Sequence, residues 1–498
     1  MDFKGYRLDI GWGFNTISGN RPLSTDPTGP PAIIFRQRRL SYQGRVILEL
    51  YGLSLWNLLD KLLVNEIIQA PIEWRGNTTT RHILMRMMAG SFFDAVIQED
   101  ASPAGFSDQT ANAKSITVDD TLLLPTPPAV GDVAYFGSSN RFNRLSIDIK
   151  SGGVGGDYTV VWEYWNGTIW TALSGVTDDT SGFQVTGLKI VSFTHPGTGW
   201  VTNTVNGQGP FFYVRARVAT IGIPIQPKAT YILGGLHQAL ALDTSDALQG
   251  DDYLPDFQTT YISERRALVQ AALTYTLLGV RTRSDGFHLV YVDNAQVTPD
   301  YTYDSAHAFF SDIQDSSPII PNKVIYVDRI PSSAEGEVSG SADNTASQDA
   351  LGIIATVIFE SKITAANATT QAERRIKRSL RDANQGLTAV PINVGQEVWD
   401  LVRIVDGRTG VTFSGRVTGL TRTYEAARGI YILEIRMGGY DAIALAIPDW
   451  LLELPETSRL ERDRELEVLA NRLKKAAAST VETIQEYLAR GGEPREVT

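Results

Sequence analysis

Asp157-Tyr-Thr-Val-Val-Trp-Glu-Tyr-Trp-Asn-Gly-Thr-Ile-Trp170 alternates between two sets of side chains and breaks once, at Asn166-Gly167. A period of two is that of a strand, and it sets Tyr158, Val160, Trp162 and Tyr164 on one face. Asn-Gly supplies the two positive-φ positions of a type I′ turn, so the stretch reads as a hairpin. Trp162, Tyr164, Trp165 and Trp170 fall within nine residues, more aromatic surface than a solvated hairpin carries. The rings must fill a β-sandwich core, line a binding face, or do both.

The same style runs from about residue 115 to residue 232, with short strands, Gly-rich turns and dense aromatics. Trp200 and Phe211-Phe-Tyr213 are expected to close the core of Trp162 and Tyr164, whereas Trp165 and Trp170 flank the turn and can reach solvent. Around residue 100 the composition shifts to Ala, Ser, Asp and Thr and reads as a linker. Near residue 235 helix and strand patterns return. Residues 115–232 therefore read as a β-sandwich inserted into a loop of a host, which such loops tolerate because closure entropy grows slowly with length.

The host reads as several units. Residues 1–75 alternate like strands, with a hairpin over residues 32–51, and residues 53–63 change to a helical period. Thr80 can cap a helix over residues 81–93. Residues 76–114 and 233–317 form an α+β unit, in which Ser263 caps a helix over residues 264–278 and Ser284-Asp285-Gly286 turns a hairpin. Residues 318–445 are strand-rich, with a helical insertion near 366–385, and residues 332–348 are acidic, Ser-rich and expected to be mobile. In residues 456–490, Ser458-Arg-Leu-Glu461 fits a capping box. Leu466, Leu469, Leu473, Ala477, Val481, Ile484 and Leu488 then recur at three–four spacing. That stripe suits the seam of a self-associating coiled coil or a helix docked on its own protein.

The 498 residues suffice for three or four domains, and 43% hydrophobic with 20% charged residues is a globular composition. No apolar run is long enough to span a membrane, and the N-terminus lacks the pattern of a signal peptide. With no cysteine, disulfides and thiolate metal sites are excluded. A net charge of −11 argues against a surface that grips phosphates, but not against a channel through which DNA slides.

Enzyme chemistry finds little support, and none is expected. His82, His195, His237, His288 and His307 are scattered singly, without metal-ligand spacing. Gly152-Gly-Val-Gly-Gly156 precedes a strand, so it lacks the helix N-terminus that would hold a pyrophosphate. Asp119-Asp120 and Asp251-Asp252 read as solvated loop acids rather than calcium ligands. No cofactor is expected. The aromatics are the better candidate: flat rings stack on sugars, and Trp165, Trp170 and Asn166 are the possible glycan contacts.

Two parts of the chain resemble known material. Trp162–Trp170, Phe193-Thr-His-Pro-Gly-Thr-Gly-Trp200 and Gly209-Pro-Phe-Phe-Tyr-Val-Arg-Ala-Arg-Val218 together are similar to carbohydrate-binding-like jelly-rolls embedded in phage tail proteins. The host resembles the phage baseplate or tail hub family, through Gly44-Arg-Val-Ile-Leu-Glu-Leu-Tyr-Gly-Leu-Ser-Leu-Trp56, residues 267–292, Asn322-Lys-Val-Ile-Tyr-Val327, Val394-Gly-Gln-Glu-Val-Trp-Asp-Leu-Val-Arg-Ile404 and Gly415-Arg-Val-Thr-Gly-Leu-Thr-Arg-Thr-Tyr424. The resemblance implies a mainly β chain with some α (α+β), built of tail-tube-like β-barrels with an inserted β-sandwich and a C-terminal helix. Residues 1–75 would be a first, shortened barrel and 318–445 a second. It further implies a virion protein of the tail tip, assembled in the host cytoplasm, acting as a ring-shaped homotrimer that joins the distal tail or tail-tube protein to other tip proteins. DNA would pass through the ring without specific binding. Leu466, Leu469, Leu473, Val481, Ile484 and Leu488 would be a possible trimer seam.

Overall fold

The computed structural model describes residues 7–8, 13–16, 19–22, 31–42, 45–59, 80–115, 117–149, 156–243, 265–292, 296–306, 311–316, 318–328, 339–360, 363–425 and 430–439. The chain is mainly β with a minority of helix, an α+β fold built from several sheets. The C-terminal stripe, including Leu466 to Leu488, lies outside the described residues, as do Asp251-Asp252 and Ser263.

The sandwich is larger than its composition implies. Its first sheet runs Trp170–Ala172, Asp157–Trp165, Gln208–Ile223, Val133–Ser138, Ala95–Ala101 and Ala104–Asp108, with Thr202–Val205 also paired to Gln208–Ile223. The second runs Thr177–Asp178, Gly187–Ser192, Arg144–Ile149, Ile232–Gly235 and Ser91–Phe92. The stretch around residue 100 is therefore no linker. Ala95–Ala101 lies beside Val133–Ser138 with Tyr135 opposite Ile97, and its buried Ala95 and Ile97 pack with Tyr135 and Tyr213 while Val96 enters the central core.

Between the two sheets, Tyr158, Trp162, Phe136, Phe142, Phe183, Phe193, Trp200 and Val214 form one buried cluster, against which Val160 and Tyr164 pack. The alternation of Tyr158, Val160, Trp162 and Tyr164 toward the core holds. Trp162 Nε1 donates to Asp178 Oδ2 at 2.9 Å and Trp200 Nε1 to the Tyr213 carbonyl at 3.1 Å, so both buried indoles keep a partner. Phe211-Phe-Tyr213 divides instead of closing one core: Phe212 faces inward, while Phe211 and Tyr213 join a second cluster on the outer face. A strand sends successive side chains to opposite sides, so the three could not share a face.

Helix Thr80–Met88 leads into the sandwich and stops well short of residue 93. Gly90 has φ +104°, and a Cβ there would lie 2.3 Å from the Gly234 carbonyl oxygen, so the chain turns at once into Ser91–Phe92. Phe92 pairs with Leu233 and Ser91 with Gly234, which brings the two ends of the sandwich side by side. Its union with the host is buried. Leu188, Tyr231 and Leu233 of the sandwich share a core with Ile83, Leu84 and Met87 of the helix, and Arg81 pairs with Asp148 at 3.5 Å.

The same core takes in helix Arg265–Leu273 and the small sheet of Leu240–Leu242, Phe287–Tyr291 and Leu278–Thr282. This helix ends before residue 278 because Leu278 opens a strand. In the N-terminal unit, Ala32–Tyr42 and Arg45–Ser54 form a long hairpin, and Ser54 caps only one helical turn, Leu55–Leu58.

Toward the C-terminus, a six-stranded half-barrel runs Tyr301–Asp304, Leu401–Asp406, Val411–Glu425, Ile430–Met437, Asn384–Pro391 and Ser311–Ser316. Strands from before residue 318 thus join it. A three-stranded sheet, Ser339–Asp343, Lys323–Asp328 and Ala355–Glu360, packs one face on helix Ala365–Ala383. Part of the expected mobile segment is ordered here: Ser339–Asp343 is a strand, and Asn344 Oδ1 accepts from the Ser347 N–H at 2.8 Å to cap helix Thr345–Leu351.

Candidate functional site

The outer face of the first sandwich sheet collects the exposed chemistry. Trp165 and Trp170 are cross-strand partners, with ring centroids 5.4 Å apart and planes at 61°. The Arg215 guanidinium lies 4.4 Å from the Trp170 ring centre, and the Tyr135 ring lies 5.4 Å from it. Glu163 ties the face together: Arg215 Nε donates to its Oε2 at 2.8 Å and Arg217 Nη2 to its Oε1 at 3.1 Å. The Tyr135 hydroxyl donates to Glu99, and burial with this carboxylate pushes the phenol well above its ordinary pKa. Tyr213 lies across Gly137, where a Cβ would come within 2.4 Å of its ring. Both tryptophans are half-buried, at the rim of a surface in which Ile169 is exposed.

Asn166 does not present its amide to this surface. Its Oδ1 accepts from the Thr168 and Ile169 N–H groups, both at 2.9 Å, and its Nδ2 donates to Thr171 Oγ1 at 2.9 Å. The connection is a four-residue loop, Asn166 to Ile169, in which Gly167 but not Asn166 has positive φ. The two-residue turn with paired positive φ occurs elsewhere, at Asn206 (48°) and Gly207 (74°), joining Val205 to Gln208. Both sites carry Asn-Gly, and what separates them is the side-chain capping that the loop offers at Asn166.

A second cluster sits where the host units meet. His288 Nε2 is 2.8 Å from Asp285 Oδ1, and its Nδ1 is 3.2 Å from Asp243 Oδ1. Burial would lower its pKa, but the two carboxylates raise it to about 9. Arg283 bonds Glu397 through Nε at 2.9 Å and Nη2 at 2.8 Å, and Arg281 reaches Asp400 at 2.7 Å and the Val398 carbonyl at 2.6 Å. Asp400 is raised to about 6, mainly by burial. Trp399 lies on Gly279 and donates from Nε1 to the Val280 carbonyl at 3.0 Å. Arg144 of the sandwich donates to the Asp285 carbonyl at 2.9 Å, and Arg7 to the Ser284 carbonyl at 2.8 Å. The Ser284-Asp285-Gly286 turn thus holds the N-terminal unit, the sandwich and the host hairpin, and Arg281 and Arg283 extend the seam to the half-barrel. Charges satisfied this fully make a structural joint. Its signal in the sequence was the run Arg281, Arg283, Asp285 leading out of the strand Leu278–Thr282 into its turn, which carries no partner information.

Among the described residues no group of three or more His, Cys, Asp or Glu side chains could hold a metal ion, and no helix is long and apolar enough to cross a membrane. Asp119 sits at a turn with φ 60°.

No family model matches the sequence, and no curated protein matches it. Solved structures similar to the chain include prophage tail protein gp18 from Listeria monocytogenes EGD-e, at 10% identity over 70% of this chain and 95% of that one, with a TM-score of 0.29. The 43 kDa tail protein of prophage MuSo2 from Shewanella oneidensis is 8% identical over 61% of this chain and 97% of its own, with a TM-score of 0.30. A tail protein from Neisseria meningitidis MC58 is 9% identical over 61% and 95%, with a TM-score of 0.32. At these TM-scores superposition assigns no role to any residue of this chain.

Proposed function

We propose that this chain is a structural subunit of a phage tail, in the hub position, where it joins the tail tube to the tail tip as a ring-shaped homotrimer and carries the sandwich outside. The observation that supports this most is the half-barrel. It is built from Leu401–Asp406 and Val411–Glu425, which hold the hub-like motifs, and among the described residues each terminal strand, Tyr301–Asp304 and Ser311–Ser316, pairs on one side only. A curved sheet open at both ends suits continuation around a ring of copies. A net charge of −11 per chain favours a lumen that repels DNA phosphates, so that the genome slides without being trapped. In this reading the protein has no catalytic residue, and its place is the virion tail tip after assembly in the host cytoplasm.

The test is the solution mass of the full chain beside a version ending at Pro455. A particle of three 54.6 kDa chains is expected. Loss of the trimer on truncation would assign the contact to the stripe of Leu466, Leu469, Leu473, Val481, Ile484 and Leu488, while its persistence would assign it to the folded units. A monomer at every concentration, alone and with isolated tail tubes, would sink the hub reading.

A second reading, recognition of a cell-surface glycan by the sandwich, is favoured by the Trp165–Trp170 pair beside Glu163, Arg215 and Arg217. Aromatic faces flanked by charged donors and acceptors are what a sugar ring needs. Glycan-array binding lost in both Trp165→Ala and Trp170→Ala would support it, and silence across the array would count against it.

A further inference from the structure

Two strand edges of this chain pair with no further strand among the described residues, and the surfaces beside them complement each other. The first is the hairpin of Ala32–Tyr42 and Arg45–Ser54. Leu48 and Leu50 lie on one of its faces and Tyr51 on the other, and all three are exposed, at 42%, 37% and 36%. Arg7–Leu8 pairs only with Ala32 and Ile33, so the hairpin around Leu48 and Leu50 is a two-stranded ribbon there, and such a ribbon is marginal by itself. The outer edge of Arg45–Ser54 pairs with no strand among the described residues.

The second is the sheet of Ser339–Asp343, Lys323–Asp328 and Ala355–Glu360. Helix Ala365–Ala383 covers the face of Val324 and Tyr326. The opposite face carries Val357 and Phe359, exposed at 48% and 56%, beside Ile325 and Val327. Ala355–Glu360 is an edge strand, paired only with Lys323–Asp328 among the described residues. An apolar strand edge left open in a soluble chain is a site for pairing with another chain.

The two surfaces match in period and in charge. Leu48 and Leu50 repeat every second residue, as do Val357 and Phe359, so paired strands would set all four on one face. Residues 32–54 hold Arg36, Arg38, Arg39 and Arg45 against one acid, Glu49. The sheet of Lys323–Asp328 and residues 339–360 holds Asp328, Asp343, Asp349 and Glu360 against one cation, Lys323, which pairs with Asp343 at 3.1 Å.

We infer that the Arg45–Ser54 edge of one copy pairs with the Ala355–Glu360 edge of a second copy, closing Leu48 and Leu50 against Val357 and Phe359. The contact is head-to-tail, because the two surfaces differ, and such contacts close into rings or run on as filaments. This deepens the hub reading and rests on it for the closure.

The chain has no cysteine, so introduced thiols report cleanly. Full-length Leu50→Cys and Val357→Cys proteins are mixed and oxidised, with Ile169→Cys on the sandwich as control. A covalent dimer is expected from the mixture, at least ten-fold above either protein alone or either mixed with the control. The double variant should give a ladder that ends at three chains. Both positions are exposed, and unchanged circular dichroism verifies the fold. Arg39→Glu should raise the concentration needed for association at least three-fold. Oligomers without a cross-link would overturn this contact and leave the hub reading standing. A cross-link within one chain of the double variant would also overturn it, since the occupant would then be the chain itself. An open-ended ladder would keep the contact and reject the hub ring.

Discussion

His288 holds Asp285 at 2.8 Å from Nε2, on the turn that three units of the chain share. Asp243 takes the other ring nitrogen and Arg283 lies 3.4 Å away, so the imidazole is held charged between two carboxylates. Its folded pKa of about 9 stands above the ordinary 6.5. The folded state therefore binds the proton more tightly, and this stabilisation is complete below pH 6.5 and lost as pH rises through 9. A shift of this size corresponds to something on the order of 3 kcal/mol. Urea midpoints should fall between pH 6.5 and 9.5, and His288→Asn should flatten that slope while lowering stability at pH 6.5. An unchanged slope in the variant would remove His288 as its cause.

On the acid side two groups oppose each other. His82, buried against Tyr231 and beside Arg81, is lowered to about 4, so its contribution is lost as pH falls from 6.5 toward 4. Asp400, raised to about 6 by burial, regains stability over much of the same range. His82→Gln should therefore make the protein more acid-resistant than the parent between pH 6.5 and 4, measured by the same urea series.

Gly90→Ala should be among the most damaging single-methyl changes. It forces a side chain onto φ +104° and into the Gly234 carbonyl, at the joint of helix and sandwich. A loss of about 2 kcal/mol or more is expected, read as a lower melting temperature. Gly197→Ala, at φ +71° with open space around it, is the control for the backbone effect alone.

The indoles separate by face. Trp162→Ala removes a buried ring from the sandwich centre and should cost about 3–5 kcal/mol. Trp165→Ala removes a half-buried ring whose main aromatic partner is Trp170, and should cost less than about 2 kcal/mol. Equal losses in chemical denaturation would contradict this division.

At the two Asn-Gly sites, substitution should have different consequences. Asn206→Val places a β-branched residue at φ 48° and should cost about 1–3 kcal/mol. Asn166→Ala leaves the φ unstrained and removes the side-chain cap of the loop, costing about 1 kcal/mol. Asn166→Gly should not restore the loss, whereas Asn206→Gly should be close to neutral.

Local patterns were legible where one face is buried. The alternation of Tyr158 to Tyr164 named its core side, and Ser284-Asp285-Gly286 marked its turn, with Arg283 N–H bonded to the Gly286 carbonyl. Misreadings arose where a distant neighbour decides. Ala95–Ala101 ends in the polar Gln98, Glu99 and Asp100 and runs straight into an Ala/Ser/Asp-rich stretch, and only its pairing with Val133–Ser138 shows it to be a strand, so composition alone suggested a linker. Ser339–Asp343 is a strand because Lys323–Asp328 pairs with it, not because its residues favour one. The Arg–Glu and His–Asp seam spans more than a hundred residues of sequence between Arg281 and Asp400, and no local rule could bring its members together.

The ends of the sandwich are bonded to each other, and its second sheet shares a core with helix Thr80–Met88. A pendant module on a tether would swing freely and absorb a pull. This one is fixed at its base: Leu188, Tyr231 and Leu233 pack on the helix and Arg81 pairs with the buried Asp148, so a load on the sandwich passes into the body of the protein through packed side chains.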